Sequence, residues 1–186
     1  MSDKRTAIVE AALEVIGETG PAGFTQPRVA ARAGLRQSHL TYYFPTRDDL
    51  LVAVAEEAVR RRVALLRDAQ DGADGIDGQV RALARILTSP EQTRVLLALT
   101  QAADRNEAVR EAFGGLAAGV GPIGSRMLAD AGAPVDRAAV GLLQATATGI
   151  AVLALARGGD APEAVVALAE HLIRTLLDGL ARKDTS

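Results

Sequence analysis

Between residues 4 and 18 the apolar positions Ile8, Ala12, Val15 and Ile16 share one face of a helix, and Gly20-Pro21 stops the run. Thr25 is placed to cap a short helix of about eight residues, with Pro27 tolerated in its first turn and Gly34 as its stop. Residues 37–44 form a third short helix that Pro45 ends. Thr46-Arg47-Asp48-Asp49 has the form of a capping box, opening a helix from Arg47 to about Asp68. The Gly-Ala-Asp-Gly stretch at 72–75 breaks that helix. Further helices are expected at about 76–88, 91–103, 106–117, 123–131, 135–157 and 162–182, with Gly114–Gly121 and Pro122 interrupting the middle ones. No segment alternates with period two, so the predicted class is all-α.

Residues 1–47 hold the first three expected helices and 48–186 the rest, and the chain is expected to divide there into a head, 1–47, and a larger helical body, 48–186. Charge divides the same way. The net charge is −2, but residues 1–47 carry +2 and 48–186 carry −4. From Thr19 to Arg47 there is no acid, while Arg28, Arg32, Arg36 and Arg47 are present. A basic head on a weakly acidic body suits a phosphate-binding module, although a chance arginine cluster gives the same pattern.

Composition narrows the chemistry. With no cysteine and two histidines, the chain has no disulfide, no thiolate zinc site and no metal-ligand cluster. His39 follows Ser38, but neighbours on a helix point apart and make a poor nucleophile–base pair, so neither a catalytic residue nor a cofactor is expected. Residues 138–156 approach membrane-spanning length and apolarity. Gln144, Thr146 and Thr148 interrupt them and no basic cluster flanks them, which favours a helix covered by a core and a partner subunit over a membrane span. Met-Ser-Asp-Lys-Arg at the start lacks a signal-peptide apolar stretch, and a cytoplasmic location is expected.

Residues 24–50, FTQPRVAARAGLRQSHLTYYFPTRDDL, combine a short helix, a glycine-containing turn and a second short helix. Val29, Ala30, Ala33, Leu35 and Leu40 would pack inward, the small alanines letting the two helices cross closely. Gln37, Ser38, His39, Thr41, Tyr42 and Tyr43 would project outward: donors and rings without an acid, suited to base edges and phosphates. Thr25, Val29-Ala30, Ala33-Gly34-Leu35, Leu40, Tyr42 to Arg47 and Leu50 together resemble the helix-turn-helix motif of the tetracycline-repressor (TetR) family of bacterial regulators. The motif covers roughly residues 7–50; the rest matches in length and helical character.

The resemblance implies a homodimer that binds a near-palindromic operator in double-stranded DNA, with a body that holds an unknown small-molecule effector. It implies that Thr25 holds a phosphate, that Gln37, Ser38, His39 and Thr41 face the groove, and that Tyr43 and Arg47 grip the flanking backbone. Tyr42 would face DNA or pack within the head. Arg36 and Thr41 depart from the common Ser and Tyr of the family, and Arg28 stands where an acid is common. Arg36 forfeits a side-chain cap of about 1 kcal/mol while adding a cation, as Arg28 does. Operator sequence therefore does not carry over from other members. The expected function is a transcriptional regulator, in the usual mode a repressor released by its effector, with a non-DNA-binding ligand carrier on the same fold as the alternative.

In the last helix Val165, Leu168, Leu172, Ile173, Leu176 and Leu180 form a stripe that suits a dimer interface or a one-sided core; the resemblance favours the interface. Only Phe113 among the aromatics lies in the body, so an effector pocket would be mainly aliphatic. Phe113, Met127, Gln144 and Thr148 are its candidate residues, with Gln144 crossing the dimer interface and Thr148 bonding to its own helix as the equal alternative.

Overall fold

The computed structural model describes residues 2–158 and 162–183. Among them are α1 (Ser2–Thr19), a 3₁₀ turn (Pro21–Gly23), α2 (Gln26–Arg32), α3 (Gln37–Tyr43), α4 (Arg47–Asp71), α5 (Gly75–Leu87), α6 (Pro90–Ala103), α7 (Glu107–Asp130), α8 (Arg137–Arg157) and α9 (Pro162–Lys183). The described residues contain no strand, as the absence of period-two alternation requires.

The chain packs as two compact units, 1–62 with 94–116 and 63–93 with 117–186. In the first, Ile8, Ile16, Val29, Leu40, Phe44, Leu50 and Val54 are buried in one apolar cluster that also takes in Leu99 and Val109. The division expected at residue 47 falls inside this unit. Leu50, Leu51 and Val54 follow the first turn of α4 at helical spacing and enter the same core as α1, so the start of α4 belongs with the head. In the second unit, α9 packs on α5 and α8, and Val80, Ala84, Leu128, Leu143 and Ile173 are central. Gln70 donates to the Ile123 carbonyl (3.0 Å) and Gln79 to Asp130 (2.7 Å), so the buried amides of α4 and α5 find acceptors on α7.

The break expected between 117 and 123 is absent: α7 is continuous, with Pro122 inside it. Two glycines give the reason. Gly115 stands against Val59, where a Cβ would sit 3.8 Å from the valine, and a Cβ on Gly119 would come within 2.5 Å of Val63. Glycine at 119 thus admits a close crossing of α4 and α7. Buried Val109, Met127 and Leu128 anchor both ends of α7, outweighing an interior proline's cost of about 3 kcal/mol. A Schellman turn then closes it: Gly132 has φ +67°, and Ala133 N–H donates to the Leu128 carbonyl at 2.9 Å.

Among the described residues α8 is long and apolar enough to cross a membrane, with a hydropathy of 1.8 in its most apolar window. Only 22% of that window is buried within the chain. Leu142 (47% exposed), Val152 and Leu153 (55%) face outward with Ala145, Gly149 and Ala156, forming an uncovered stripe of apolar and small residues. Leu168 and Leu172 on α9, the helix packed beside it, are also exposed.

Candidate nucleic-acid interface

Two local devices hold α3 in place. The turn before it is a full Schellman motif: Gly34 has φ +67°, its N–H donates to the Ala31 carbonyl (3.1 Å), and Leu35 N–H donates to the Ala30 carbonyl (2.9 Å). A side chain at 34 would pay for the left-handed backbone. After α3, Thr46 and Asp49 form the reciprocal capping box that their spacing predicts. Thr46 N–H and Oγ1 donate to Asp49 Oδ2 (3.0 and 2.8 Å), and Asp49 N–H donates to Thr46 Oγ1 (3.0 Å). Between these devices Leu40 is fully buried and Phe44 nearly so, fixing one side of α3 to the core.

The other side of α3 is open. Arg36, Gln37, Ser38 and His39 are exposed, Thr41 is half-buried, and Tyr42 is 73% exposed. Tyr42 thus takes the outward alternative, while half-buried Tyr43 packs edge-on against it, ring centres 5.3 Å apart. Thr41 Oγ1 donates to the Gln37 carbonyl at 2.6 Å, leaving its oxygen lone pairs and methyl as its outward groups. Arg36 occupies the cap position of α3 and supplies no side-chain cap, as its chemistry requires.

Thr25 is the N-cap residue of α2 by backbone, yet its hydroxyl makes no cap hydrogen bond. The exposed hydroxyl stays available to an outside acceptor. Exposed Arg28 folds back, its Nη1 3.0 Å from where a Cβ on Gly23 would stand. Arg47 lies with its guanidinium 5.1 Å from the centre of the Phe24 ring. Stacking leaves the edge N–H groups of the fork directed outward from the ring. Arg5 stacks on Phe44 in the same manner at 5.0 Å, a basic contribution that the sequence pattern did not single out. Arg32 is committed internally, bonded to Glu14 (3.0 Å) and Glu18 (2.5 Å) on α1. Its hydrogen bond holds the Glu18 carboxyl below the usual carboxylate range. Arg94 Nη1 donates to the Gly17 carbonyl (3.0 Å), fastening α6 to the end of α1.

The body candidates separate. Phe113 packs against the core of the first unit, whereas Met127 is buried in the core of the second. Thr148 Oγ1 donates to the Gln144 carbonyl at 3.0 Å, as its local alternative foresaw. The Gln144 amide is half-buried. None of these four lines either of two cavities of about 270 Å³ formed by described residues of the first unit. On α9, Ile173 is completely buried against the unit's own core, which corrects its assignment to an interface. Val165, Leu176 and Leu180 are half-buried, the last two packed on that core, and only Leu168 and Leu172 are exposed. The outward stripe of α8 lies on the helix expected to be covered by a core and a partner subunit, although Leu142, Val152 and Leu153 were not among the residues singled out for an interface.

Residues 8–54 match the profile of bacterial regulatory proteins of the tetR family, and residues 67–179 match the tetracyclin repressor-like C-terminal domain. An uncharacterized HTH-type transcriptional regulator from the dhlA 5′ region of Xanthobacter autotrophicus is 33% identical over 113 residues, 57% of this chain and 56% of the relative. The chain spans just over half the length of the curated relatives it matches. A transcriptional regulator from Rhodococcus sp. Rha1 shares the fold with a TM-score of 0.79 at 22% identity, covering 95% of this chain and 97% of that one. The regulator FadR of Bacillus subtilis, solved with stearoyl-CoA, gives a TM-score of 0.71 at 19% identity over 94% and 98% of the two chains. With the helix-turn-helix geometry and both family profiles spread over 8–54 and 67–179, the chain belongs to the tetR family of bacterial regulatory proteins.

Proposed function

We propose that the chain is a homodimeric, effector-controlled transcriptional repressor that acts in the cytoplasm on a near-palindromic DNA site. The observation that carries this reading is α3: an exposed, acid-free helix of Gln, Ser, His, Thr and Tyr, locked between a Schellman turn and a capping box. Residues 1–47 read DNA, and 48–186 hold the effector and the partner subunit. Gln37, Ser38, His39, Thr41 and Tyr42 meet the major groove. Thr25, Arg28, Arg36, Tyr43 and Arg47 hold phosphates on either side, positioning the helix without reading sequence.

The dimer is supported by the uncovered apolar faces of α8 and α9. Leu142, Val152 and Leu153 with Leu168 and Leu172 would complete a four-helix contact about a two-fold axis. Two recognition helices would then lie about 34–36 Å apart, one DNA turn. The stearoyl-CoA held by the FadR neighbour supports a small-molecule role for the body. Gln144 is the effector candidate with a side-chain amide still to be matched. An effector that binds the DNA-incompetent state more tightly releases the operator, and DNA lowers effector affinity by the same factor. Selection from a random duplex library tests the function. The expected product is one two-fold-symmetric consensus that Gln37→Ala and Tyr42→Ala alter; a library without enrichment would refute it.

A further inference from the structure

A cavity of about 270 Å³ opens where α6 passes α1 and the start of α4, and every residue that lines it belongs to the first unit. Its apolar wall includes Ile16 of α1, Phe24 before α2, Leu51 of α4, and Ala98 and Ala102 of α6. Ile16, Phe24, Leu51 and Ala98 are buried, so the wall is set by the core and not by loose surface side chains. The polar lining supplies donors from Arg47, Gln101, Arg105 and Asn106, and a carboxylate from Asp48. The side chains of Gln101, Arg105 and Asp48 make no hydrogen bond or ion pair among the described residues. Asn106 Oδ1 accepts from the Val109 N–H at 3.2 Å, which leaves the amide N–H groups of Asn106 as its unmatched end.

Two guanidinium groups against one carboxylate leave this lining net positive. A buried apolar wall with a few convergent donors is the composition of a small-molecule site. The volume falls just short of the range of about 300–1,000 Å³ typical for drug-sized ligands, which limits the occupant to a single ring or its equivalent. We propose that this cavity binds a small organic monoanion, a carboxylate on a compact apolar body, in competition with DNA. The competition follows from Arg47. Its guanidinium stacks on Phe24, and the free edge of the fork holds one oxyanion at a time, the ligand's carboxylate or a DNA phosphate. Arg105 adds a second cation to the ligand that takes no part in the DNA contacts. The competition rests on the proposed phosphate contact of Arg47; the site itself does not, and it is separate from the effector position proposed at Gln144.

The test uses the full chain with benzoate, acetate and benzylammonium as probes. Acetate lacks the apolar body, and benzylammonium reverses the charge. Calorimetric titration without DNA measures binding; fluorescence anisotropy on the selected duplex, at constant ionic strength, measures release. The parent should bind benzoate saturably, at least about 10-fold more tightly than acetate, and should not bind benzylammonium. Arg105→Met, at an exposed position, should melt as the parent does and bind benzoate about 10- to 100-fold more weakly. The benzoate midpoint for DNA release should rise by the same factor. Ala102→Leu fills the cavity and should abolish benzoate binding in a chain whose circular dichroism matches the parent's. Unchanged benzoate affinity in Arg105→Met, equal binding of acetate or benzylammonium, or no benzoate binding by the parent would each overturn the site. Benzoate that binds but releases no more DNA than acetate would overturn the competition. A chain that binds benzoate yet no duplex refutes the regulator and the competition together, while one that binds its duplex but not benzoate refutes the site alone.

Discussion

Leu153→Glu should split the proposed dimer and leave each subunit folded. Leu153 is 55% exposed on α8. Full burial of a leucine contributes about 1.5–3 kcal/mol, so covering the remaining half at the interface contributes about 1–1.5 kcal/mol per copy, twice in a symmetric pair. A glutamate forfeits that and places a carboxylate where residues 138–156 offer no lysine or arginine. Desolvating an unpaired carboxylate costs several kcal/mol more for each copy. A combined loss of at least about 5 kcal/mol weakens dimerisation by more than three powers of ten. Sedimentation equilibrium gives the mass, and circular dichroism reports whether helices survive. Ile173→Glu is the control: completely buried in the subunit core, it should lose the fold itself. A Leu153→Glu protein that stays dimeric at the parent's concentration range, or an Ile173→Glu protein that folds as a monomer, would refute the placement of the interface.

Arg47→Ala should weaken operator binding and flatten the log K against log salt slope by about 1, read by fluorescence anisotropy; an unchanged slope contradicts its phosphate contact. Thr46→Ala removes two of the three capping-box bonds and should cost about 1 kcal/mol, lowering the melting temperature by about 2–4 °C, with Thr46→Ser restoring it. The Glu18 carboxyl is held low by Arg32, so its contribution to stability is full above the unfolded value of about 4.3 and disappears as pH falls through the lower folded value. Glu18→Gln should therefore make the acid limb of the stability curve shallower; an identical limb in denaturant titrations from about pH 6 to about pH 3 contradicts this.

Local chemistry made much of the head legible. Gly34 and the Thr46–Asp49 pair act within five residues of themselves, and each forms the turn or cap its spacing requires. The outward face of α3 followed from buried Leu40, since helical geometry then turns Ser38 and Tyr42 to the opposite side. What sequence did not disclose depends on distant partners. Gly119 reads as a helix breaker until Val63 stands against it. Leu172 and Ile173 belong to one apolar stripe, and only the packing of α9 on α5 and α8 decides that 173 is core and 172 is open. Arg47 and Arg5 look like free cations, but the aromatic rings that orient them come from Phe24 and Phe44. The candidate effector residues were the least legible, because an aliphatic pocket would share its composition with an ordinary core.

The most direct measurement is the affinity of the purified chain for its selected duplex and for an unrelated duplex of equal length, across a salt series. Specific DNA readout by α3 predicts that the selected duplex binds at least about 10³-fold more tightly, and that both affinities fall linearly on log–log axes as salt rises. Equal affinity for the two duplexes throughout the series would contradict a sequence-specific regulator.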